Sequence, residues 1–479
     1  MTLKAIRFSL VVLAASSLPA LSATTQADAD KVRDALKPYL GPFTDTVKIT
    51  PFEEGFKASL DLAAVLADAK KKDVDITLSP IELTATPLGA NKWKLHREGD
   101  FSLAAKFPGG YINEQLTGMT YDATLDMDQG IITESAWVAK AVTVDEELPA
   151  QGGMKSKVKM AIDGLSAKST AKVNPEGGTD VTVTEPFGPF TFSEHLDNGK
   201  QPVDVSGKSA GGTAEATIIG LRGKPILDIW KFGVAHVDKK PTADDQNVLK
   251  TALAAALPIF KSFDSKGSFG KLDVTTPMGV FSVDNVGFAS KANGLVKEGY
   301  FQEAISLDGL TLPAGIAPAW STSLVPKNLK IDFNFSGYDF ATISKGFIEA
   351  SDFTKADPVA PEILAKLQAS VLPAGIVTVG LGPSAVSNSA YNLTAEGSFA
   401  AGPAAQPSGK AKIKLTGMDE VMKAINGAPP EARLKDASAV MIVAKGLGKA
   451  EADGSITWNV EATADGQVLV NGTDVKKLK

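Results

Sequence analysis

Alternation of polar and apolar residues with a period of two runs through most of this chain. In each such run one set of side chains can face a core while the other faces water, which is typical of antiparallel sheets. Turn pairs such as Asp453-Gly454 and Asp465-Gly466 separate the runs, as hairpins require. The clearest runs are 157–163, 180–184, 330–335, 410–415 and 455–461. The pattern predicts a mainly β (α+β) protein built from long antiparallel meandering sheets.

Three segments show the helical period instead. Residues 27–39 place Val32 and Leu36 on one face. Residues 242–260 begin with a threonine followed by two acids, which suit the amino end of a helix. A third segment opens at Pro361, a residue favoured in the first helical turn. The sequence therefore predicts several short amphipathic helices beside the sheets.

Two internal similarities suggest that the chain consists of related halves. Residues 331–339 and 412–419 each contain an alternating strand, a Ser/Thr-Gly pair, an apolar residue and an aspartate before a short apolar-striped segment. A Pro-x-Gly turn beside a Thr-rich strand recurs at 87–89, 186–188 and 277–279. We predict an amino-terminal β-rich half, 24–240, and a carboxy-terminal β-rich half, 241–479.

The first 23 residues have the order of a secretory signal peptide. Lys4 and Arg7 precede an apolar run at 8–15, and small residues at 20–23 offer a cleavage site. The run is shorter than the ~20 residues that span a bilayer. An uncleaved membrane anchor is the alternative, but serines and Pro19 interrupt the segment where an anchor would continue. We expect an exported, periplasmic protein without a transmembrane span, with an extracellular location as the other possibility.

Composition narrows the chemistry that the mature chain can perform. The sequence has no cysteine, which excludes disulfides, thiol catalysis and thiolate metal sites. Lysine and arginine number 49 against 55 acidic residues, and no basic block is present. We therefore predict no nucleic-acid partner.

Two motifs imitate functional sites. Residues 207–211 read G-x-S-x-G around Ser209, but a hydrolase elbow requires a strand before the serine and a helix after it. Here a glycine-rich stretch and the strand-like segment 214–219 follow, so we expect a flexible hairpin connection. Residues 126–130 resemble part of a calcium loop with incorrect spacing, and acids on the wet side of a hairpin explain them better.

The three histidines, His96, His195 and His236, are far apart in sequence and lack the close spacing of zinc ligands. His236 ends an apolar stretch, and we expect it to be a half-buried structural histidine. The sequence thus predicts no catalytic, metal or cofactor-binding residue and no enzymatic activity.

Aromatic residues concentrate in three strand-like stretches, and two interpretations of them remain open. Such residues pack into a sheet core under helices, or line a groove for an acyl chain or peptide. The residues concerned are Phe187, Phe190 and Phe192, then Phe281 and Phe288, and then Phe333 and Phe335.

The layout resembles that of domain-of-unknown-function family 2125, a group of Gram-negative periplasmic proteins. The resemblance rests on the leader with its following helix, the meanders, the segment 220–236 and the closing hairpin 458–472. It implies no catalytic residue. The strand–Gly–Asp–helix unit is similar to the repeat of AsmA-type proteins, which implies a role in outer-membrane assembly or lipid traffic.

Two functional hypotheses follow from the sequence, both non-enzymatic and without a cofactor. In the first, the protein binds hydrophobic components of the envelope, either lipid or an outer-membrane client. In the second, it is a structural or scaffolding module that binds another envelope protein through its surface. A hydrolase acting through Ser209 is a third reading, which requires a histidine and an acid within reach of that serine.

Overall fold

The structure is a computed structural model that describes residues 25–478 except 61–73, 150–154, 198, 200, 238, 374, 404 and 433. The expected signal peptide, 1–23, lies outside the described residues. The described chain is mainly antiparallel β-sheet with several helices, which confirms the predicted fold class.

The helices predicted at 27–39, at 242–260 and from Pro361 begin within one residue of those positions, whereas the helices at 223–235 and 435–447 were not predicted. Capping boxes start α1 at Thr25 and α3 at Thr242, each with an aspartate three residues later. Helix α3 ends at Ala255, earlier than expected, because Pro258 disfavours helical backbone in the residue before it. The helices are α1 (Gln26–Leu40), α2 (Gly223–Ala235), α3 (Ala243–Ala255), α4 (Phe340–Ala350), α5 (Pro361–Ala369), α6 (Met418–Asn426) and α7 (Lys435–Leu447).

The chain divides into two compact units. Unit 1 comprises residues 1–261 and 347–360, and unit 2 comprises 262–346 and 361–479. The boundary expected at 240–241 falls inside unit 1. That the two halves are related remains a prediction.

Unit 1 contains two series of paired antiparallel strands. The first series pairs in the order β1–β2–β4–β5–β8–β9–β12–β13–β16, and the second in the order β3–β6–β7–β10–β11–β14–β15. The strands are β1 (Val47–Phe52), β2 (Gly55–Leu60), β3 (Asp75–Leu78), β4 (Ile81–Gly89), β5 (Lys92–Glu98), β6 (Phe101–Phe107), β7 (Gly110–Thr117), β8 (Thr120–Asp126), β9 (Ile131–Ala139), β10 (Ala141–Pro149), β11 (Lys155–Ile162), β12 (Leu165–Val173), β13 (Thr179–Phe187), β14 (Phe190–Asp197), β15 (Val203–Ser209) and β16 (Gly212–Leu221).

Six long extended segments in the described part of unit 1 are each interrupted once. The strand before the interruption belongs to one series and the strand after it belongs to the other. Only one or two residues separate β5 from β6, β7 from β8, and each following pair up to β15 and β16. Backbone hydrogen bonds join neighbouring breaks, as from Gly99 N to Met119 O (3.0 Å) and from Gly188 N to Gly164 O (2.7 Å). The breaks therefore lie side by side. We call them the break line, and its residues are 99–100, 118–119, 140, 163–164, 188–189 and 210–211.

Glycine is required at particular points of the break line. A Cβ atom on Gly188 would lie 1.7 Å from the carbonyl oxygen of Asp163. Gly211 has φ +87°, and a Cβ atom there would lie 2.5 Å from backbone atoms of Phe187 and Gly188. Both glycines thus allow backbone to approach backbone where the chain passes from one sheet to the other.

Unit 2 is a single antiparallel meander with an additional hairpin. Its main series pairs in the order β17–β20–β21–β22–β23–β24–β25–β27–β28–β29, with β26 also on β27, while β18 pairs with β19. The strands are β17 (Ser262–Phe269), β18 (Leu272–Thr276), β19 (Gly279–Val283), β20 (Asn285–Asn293), β21 (Gly299–Asp308), β22 (Asn328–Tyr338), β23 (Val377–Ser387), β24 (Asn392–Gly402), β25 (Ala405–Thr416), β26 (Lys449–Ala450), β27 (Ile456–Ala462), β28 (Val468–Val470) and β29 (Thr473–Asp474).

Each unit has a compact hydrophobic core at one part of its sheet. In unit 1, Val32 and Leu36 of α1 pack on buried residues of β1, β2, β4, β5 and β8, including Trp93 and Leu125. In unit 2, α6 and α7 cover Leu415, Ile456 and Trp458 of β25 and β27. Helices thus bury only part of the apolar surface that the alternating strands create.

The two strand–Gly–Asp–helix segments adopt the expected structure. Strand β22 leads to α4, where the Asp339 carboxylate accepts a hydrogen bond from Thr342 N (2.8 Å). Strand β25 leads through Gly417 to α6, where Asp419 lies in the first turn. Both aspartates favour the positive end of the helix dipole, although only Asp339 acts as the cap.

Replacing Gly211 by alanine is expected to lower the free energy of unfolding by about 2–4 kcal/mol, because left-handed strain adds to a backbone clash. Gly177→Ala is the matched control, since Gly177 has φ +75° but open space around its Cβ position. It should lose only about 1–2 kcal/mol. Denaturant unfolding, monitored by tryptophan fluorescence, measures the free energy of unfolding of both variants. Equal decreases in the two variants would contradict close packing at the break line.

Candidate ligand-binding face

The central strands of unit 2 place large apolar side chains on one face of the sheet. Residues that pair directly across antiparallel strands share a face, and so do alternate residues along a strand. Phe288 of β20 pairs with Ile305 of β21, which pairs with Ile331 of β22. Phe333 and Phe335 follow at alternate positions of β22 and pair with Leu381 and Val379 of β23.

A further row of apolar residues extends this face across the sheet. Leu329 of β22 pairs with Val386, Val386 with Leu393, and Leu393 with Leu415. Leu415 then pairs with Ile456, in the core that α6 and α7 cover. The apolar surface is therefore continuous from the central strands to the helix-covered part.

Large side chains of the central strands are exposed to solvent. Their fractional exposure lies between 37% and 47%, whereas the covered residues Leu415 and Ile456 are below 9%. We name this surface the open face, and it consists of Phe288, Ile305, Ile331, Phe333, Phe335, Val379 and Leu381. Scattered exposed hydrophobics are ordinary, whereas a contiguous set of this kind makes the open face a candidate binding surface.

The dimensions of the open face suit an extended hydrocarbon chain. Residues 329–335 of β22 extend roughly 20 Å at about 3.3 Å per residue. The distance from β20 to β23 is roughly 14 Å at about 4.8 Å per strand. One leaflet of a bilayer has a hydrocarbon thickness of about 15 Å, half of the ~30 Å core. One or two acyl chains can therefore lie along the strands.

The opposite face of the same strands is polar, and side-chain hydrogen bonds join its neighbouring strands. Asp332 is 6% exposed, and both of its carboxylate oxygens accept hydrogen bonds from Gln302 Nε2 at 2.9 Å. Tyr300 donates its hydroxyl proton to Gln302 Oε1 (2.7 Å), and Asp332 N donates to Ser384 Oγ (3.0 Å). These bonds join β21, β22 and β23, and so fix the register that presents the open face.

One carboxylate lies on the same side of the sheet as the open face. Glu303 of β21 pairs with Ser290 of β20 on one side and with Phe333 of β22 on the other. Ser290 Oγ donates a hydrogen bond to Glu303 Oε1 at 2.6 Å. Ser290 and Glu303 thus interrupt the row that contains Phe333 and Leu381, while the neighbouring rows through Ile305 and Phe301 are apolar.

The second strand series of unit 1 also has an apolar face, but acids interrupt it more often. Register pairing places Glu114, Glu146 and Glu194 among residues such as Val144 and Val158. Ser156 Oγ donates to Glu194 Oε1 at 3.0 Å. Three acids make this surface less suitable for hydrocarbon than the open face.

Ser209 does not lie in the geometry of a hydrolase. It is the last residue of β15, 6% exposed, and strand β16 follows it rather than a helix. The expected flexible hairpin connection was wrong, because the segment is strand broken at the break line. Ser209 pairs with Phe190 of β14 and shares its face of the sheet. His195 lies five residues after Phe190 on the same strand, and because this separation is odd, His195 faces the other side. This arrangement provides no serine–histidine contact.

Each histidine instead has a nearby aspartate. His96 Nδ1 lies 3.0 Å from Asp122 Oδ1, and His195 Nδ1 lies 2.7 Å from Asp204 Oδ1. The described residues contain no group of three or more acids or histidines that could hold a metal ion.

His236 connects two helices of unit 1. Its Nδ1 donates to Phe232 O of α2 (2.8 Å), its ring stacks on that of Phe232, and its Nε2 lies 3.3 Å from Asp245 Oδ2 at the start of α3. The side chain is 16% exposed. The expectation of a half-buried structural histidine is confirmed.

The calcium-like segment forms a tight hairpin. Asp126 Oδ1 accepts from Gln129 N (3.0 Å), and Asn91 Nδ2 donates to Asp128 Oδ1 (2.8 Å). The hairpin explanation is confirmed, but Asp126 is 4% exposed and so is not on the wet side. Its oxygens are used to close the turn.

A shallow cleft of about 880 Å³ lies on the polar side of unit 2. Lys410 and Glu461 in its wall form an ion pair (3.2 Å), and Lys449 pairs with Glu451 (3.5 Å). Opposite charges satisfy one another there, so the cleft is a weaker candidate than the open face.

Comparisons with known proteins identify no family for this chain. No family model matches it, and neither does any curated protein. A solved structure of the alcaligin outer-membrane receptor FauA from Bordetella pertussis matches at 10% identity and TM-score 0.23, over 87% of this chain and 64% of that one. The chain thus spans less than two thirds of that receptor, and a TM-score this low carries no argument about fold or function. In the part of this chain that the structure describes, no helix is long and apolar enough to cross a membrane.

The contact at the start of α3 predicts a dependence of stability on pH. Hydrogen bonds from the Thr242 backbone and hydroxyl, and then from His236, hold the pKa of Asp245 below its usual value. A lowered carboxyl pKa gives stability that is present above the unfolded pKa of 3.8 and lost as pH falls through the folded value. Asp245→Asn should therefore melt at a lower temperature than the parent at pH 7 and at the same temperature near pH 2, by differential scanning calorimetry.

Asp244→Asn is the matched control for this experiment, since Asp244 lies in the same helical turn. It should change the melting temperature less than Asp245→Asn at pH 7. A difference between parent and Asp245→Asn that persists unchanged at pH 2 would contradict the role of the carboxylate.

Proposed function

We propose that this protein is exported to the periplasm, where it binds the acyl chains of a lipid along the open face of unit 2. The observation that carries the proposal is the contiguous set of large apolar side chains, each more than a third exposed, on strands β20 to β23. Exposed surface of this kind is unfavourable in water by about 25 cal/mol per Å². A bound hydrocarbon chain removes that cost.

The geometry favours a chain molecule over a compact ligand. The open face is a long sheet surface, wide enough for one or two extended chains, and not an enclosed cavity. Its contacts are aliphatic and aromatic, which suits hydrocarbon that needs no hydrogen bonds. The leader-like segment at 1–23 supports a location in the envelope, where lipids must cross an aqueous space.

Mass spectrometry of the purified protein tests this proposal. The full chain is produced with its leader in a Gram-negative host, purified from the periplasm without detergent, and extracted with organic solvent. We expect a mature chain beginning near residue 24 and lipid at a substantial fraction of one molecule per protein. Lipid no higher than in a control protein of similar size would reject the proposal.

The paired variant Phe333→Asn with Phe335→Asn should reduce the recovered lipid by about tenfold, since it makes the centre of the open face polar. Asn334→Ala with Ser336→Ala changes the opposite face of the same strand and should retain lipid as the parent does. Circular dichroism checks that both variants fold. If the phenylalanine variant folds and retains its lipid, the binding surface lies elsewhere.

A further inference from the structure

Arg97 of unit 1 is a buried cation to which the described residues offer no acidic partner. It is the second-last residue of β5 and is 8% exposed. Its guanidinium donates one hydrogen bond, from Nη1 to Met119 Sδ (3.1 Å), and a thioether sulfur is a weak acceptor. Burial lowers the pKa of Arg97 from its usual value, and no described carboxylate counteracts that effect. A charge in this environment is unfavourable unless an anion joins it.

The unpaired N–H groups of Arg97 are within reach of solvent. A guanidinium has several N–H donors and no acceptor. In the part of the chain that the structure describes, Arg222 Nε is the only side-chain nitrogen or oxygen that is fully enclosed and lacks a hydrogen-bond partner. The unpaired nitrogens of Arg97 are therefore not fully enclosed, although the residue as a whole is buried. An anion that enters from solvent can contact them.

Two further hydrogen-bond donors lie in the same row of the sheet. Arg97 pairs with Tyr121 of β8, and Tyr121 pairs with Trp137 of β9. Directly paired residues share a face, so the three side chains lie within roughly 10 Å at about 4.8 Å per strand. Tyr121 and Trp137 are half-buried, and neither side chain hydrogen-bonds to another described residue. Buried tyrosine and tryptophan usually have such a partner. We name Arg97, Tyr121 and Trp137 the donor row.

An apolar row begins beside Arg97, on the other side of the break line. Arg97 Cζ lies 5.8 Å from the centre of the Phe101 ring, at the start of β6. Direct pairing continues this row across five strands, and the three glutamates of that face lie in other rows. Its length is roughly 19 Å at about 4.8 Å per strand, comparable with the ~15 Å of one bilayer leaflet. We name it the cross-strand row, and it consists of the half-buried residues Phe101, Leu116, Val142, Ile162 and Phe190.

The chemistry of the two rows specifies the class of ligand. A guanidinium binds a carboxylate through two parallel hydrogen bonds, and one cation balances one negative charge. An ionised carboxylate only accepts hydrogen bonds, so it also suits the hydroxyl of Tyr121 and the indole N–H of Trp137. The cross-strand row suits a hydrocarbon chain attached to that carboxylate. A small hydrophilic anion would leave the apolar row unused.

We propose that unit 1 binds an amphiphile with a single carboxylate, whose charged group contacts the donor row and whose hydrocarbon chain lies along the cross-strand row. The inference goes beyond the proposed function, because this site lies in unit 1, apart from the open face, and selects its ligand by charge. Arg97 supplies the charge selectivity, and Tyr121 and Trp137 position the carboxylate.

Isothermal titration calorimetry tests the charge selectivity. The full mature chain is freed of bound lipid on a hydrophobic resin and titrated at about pH 8, where a fatty acid is ionised. Dodecanoate should bind about tenfold more tightly than dodecanol, which has the same chain without the charge. Acetate, which has the charge without the chain, should bind far more weakly than dodecanoate. Tighter binding of lysophosphatidylglycerol than of dodecanoate would overturn the assignment to a carboxylate.

Arg97→Met removes the charge and retains an apolar side chain of similar length. Its affinity for dodecanoate should fall about tenfold, while its affinity for dodecanol should not change. Its melting temperature should equal or exceed that of the parent, because an unpaired buried charge has been removed. Unchanged dodecanoate binding would overturn the proposal, and so would a markedly lower melting temperature, which would make Arg97 a structural residue.

Arg222→Met is the matched control, since Arg222 is half-buried but donates from Nη1 to Glu176 O (2.9 Å). It should bind dodecanoate as the parent does. Tyr121→Phe with Trp137→Phe retains the aromatic rings and removes both neutral donors. This variant should bind dodecanoate several-fold more weakly, with dodecanol unaffected. Equal losses for dodecanoate and dodecanol would contradict a role of these donors in binding the charge.

The result is separable from lipid binding on the open face. The Phe333→Asn, Phe335→Asn variant should retain the preference for dodecanoate over dodecanol, because both substitutions lie in unit 2. Loss of that preference would place the charged site on the open face and overturn this inference. If the parent carries no lipid from the periplasm but retains the preference, the proposed function fails and this inference stands.

Discussion

The strict period of two in side-chain direction, held in register across consecutive antiparallel strands, is the constraint on which this structure depends. It sorts each strand into an apolar and a polar side, and pairing then aligns the apolar sides into rows. In unit 2 the polar side also secures the register, because Gln302, Asp332 and Ser384 join three strands through hydrogen bonds. Without that register, Phe333 and Leu381 would not share a surface.

Helices cover only part of the surface that this sorting creates. In unit 2, α6 and α7 enclose Leu415, Ile456 and Trp458, and these residues supply a core of ordinary kind. The central strands have the same apolar pattern, but within the described parts of the chain their large apolar side chains stay more than a third exposed. The difference arises because every added strand contributes another row of apolar side chains, while the helices that cover the sheet are short. Where the sheet extends beyond the helices, apolar side chains stay exposed.

The sequence predicted the class of fold well because its signals are local. Alternation in segments such as 330–335 requires no knowledge of distant residues, and neither does the capping box at Thr242. What could not be predicted is which apolar side becomes covered, since that depends on where helices distant in sequence pack. Phe333 and Phe335 therefore fitted both a filled core, which the sequence favoured, and an open groove. The break at Ser209 was missed for a related reason, because a glycine inside a long strand and a glycine in a hairpin look alike along the chain.

Energetics favour a ligand on the open face over a bare sheet. Full burial of a valine, leucine, isoleucine or phenylalanine contributes about 1.5–3 kcal/mol. Seven such side chains that are only partly buried leave a considerable fraction of that free energy unused. A flexible acyl chain loses conformational freedom when it binds, which offsets part of the gain, so affinity depends on how many of the seven it contacts. The proposed binding of hydrocarbon would therefore depend on the apolar area in contact, and not on recognition of chemical detail.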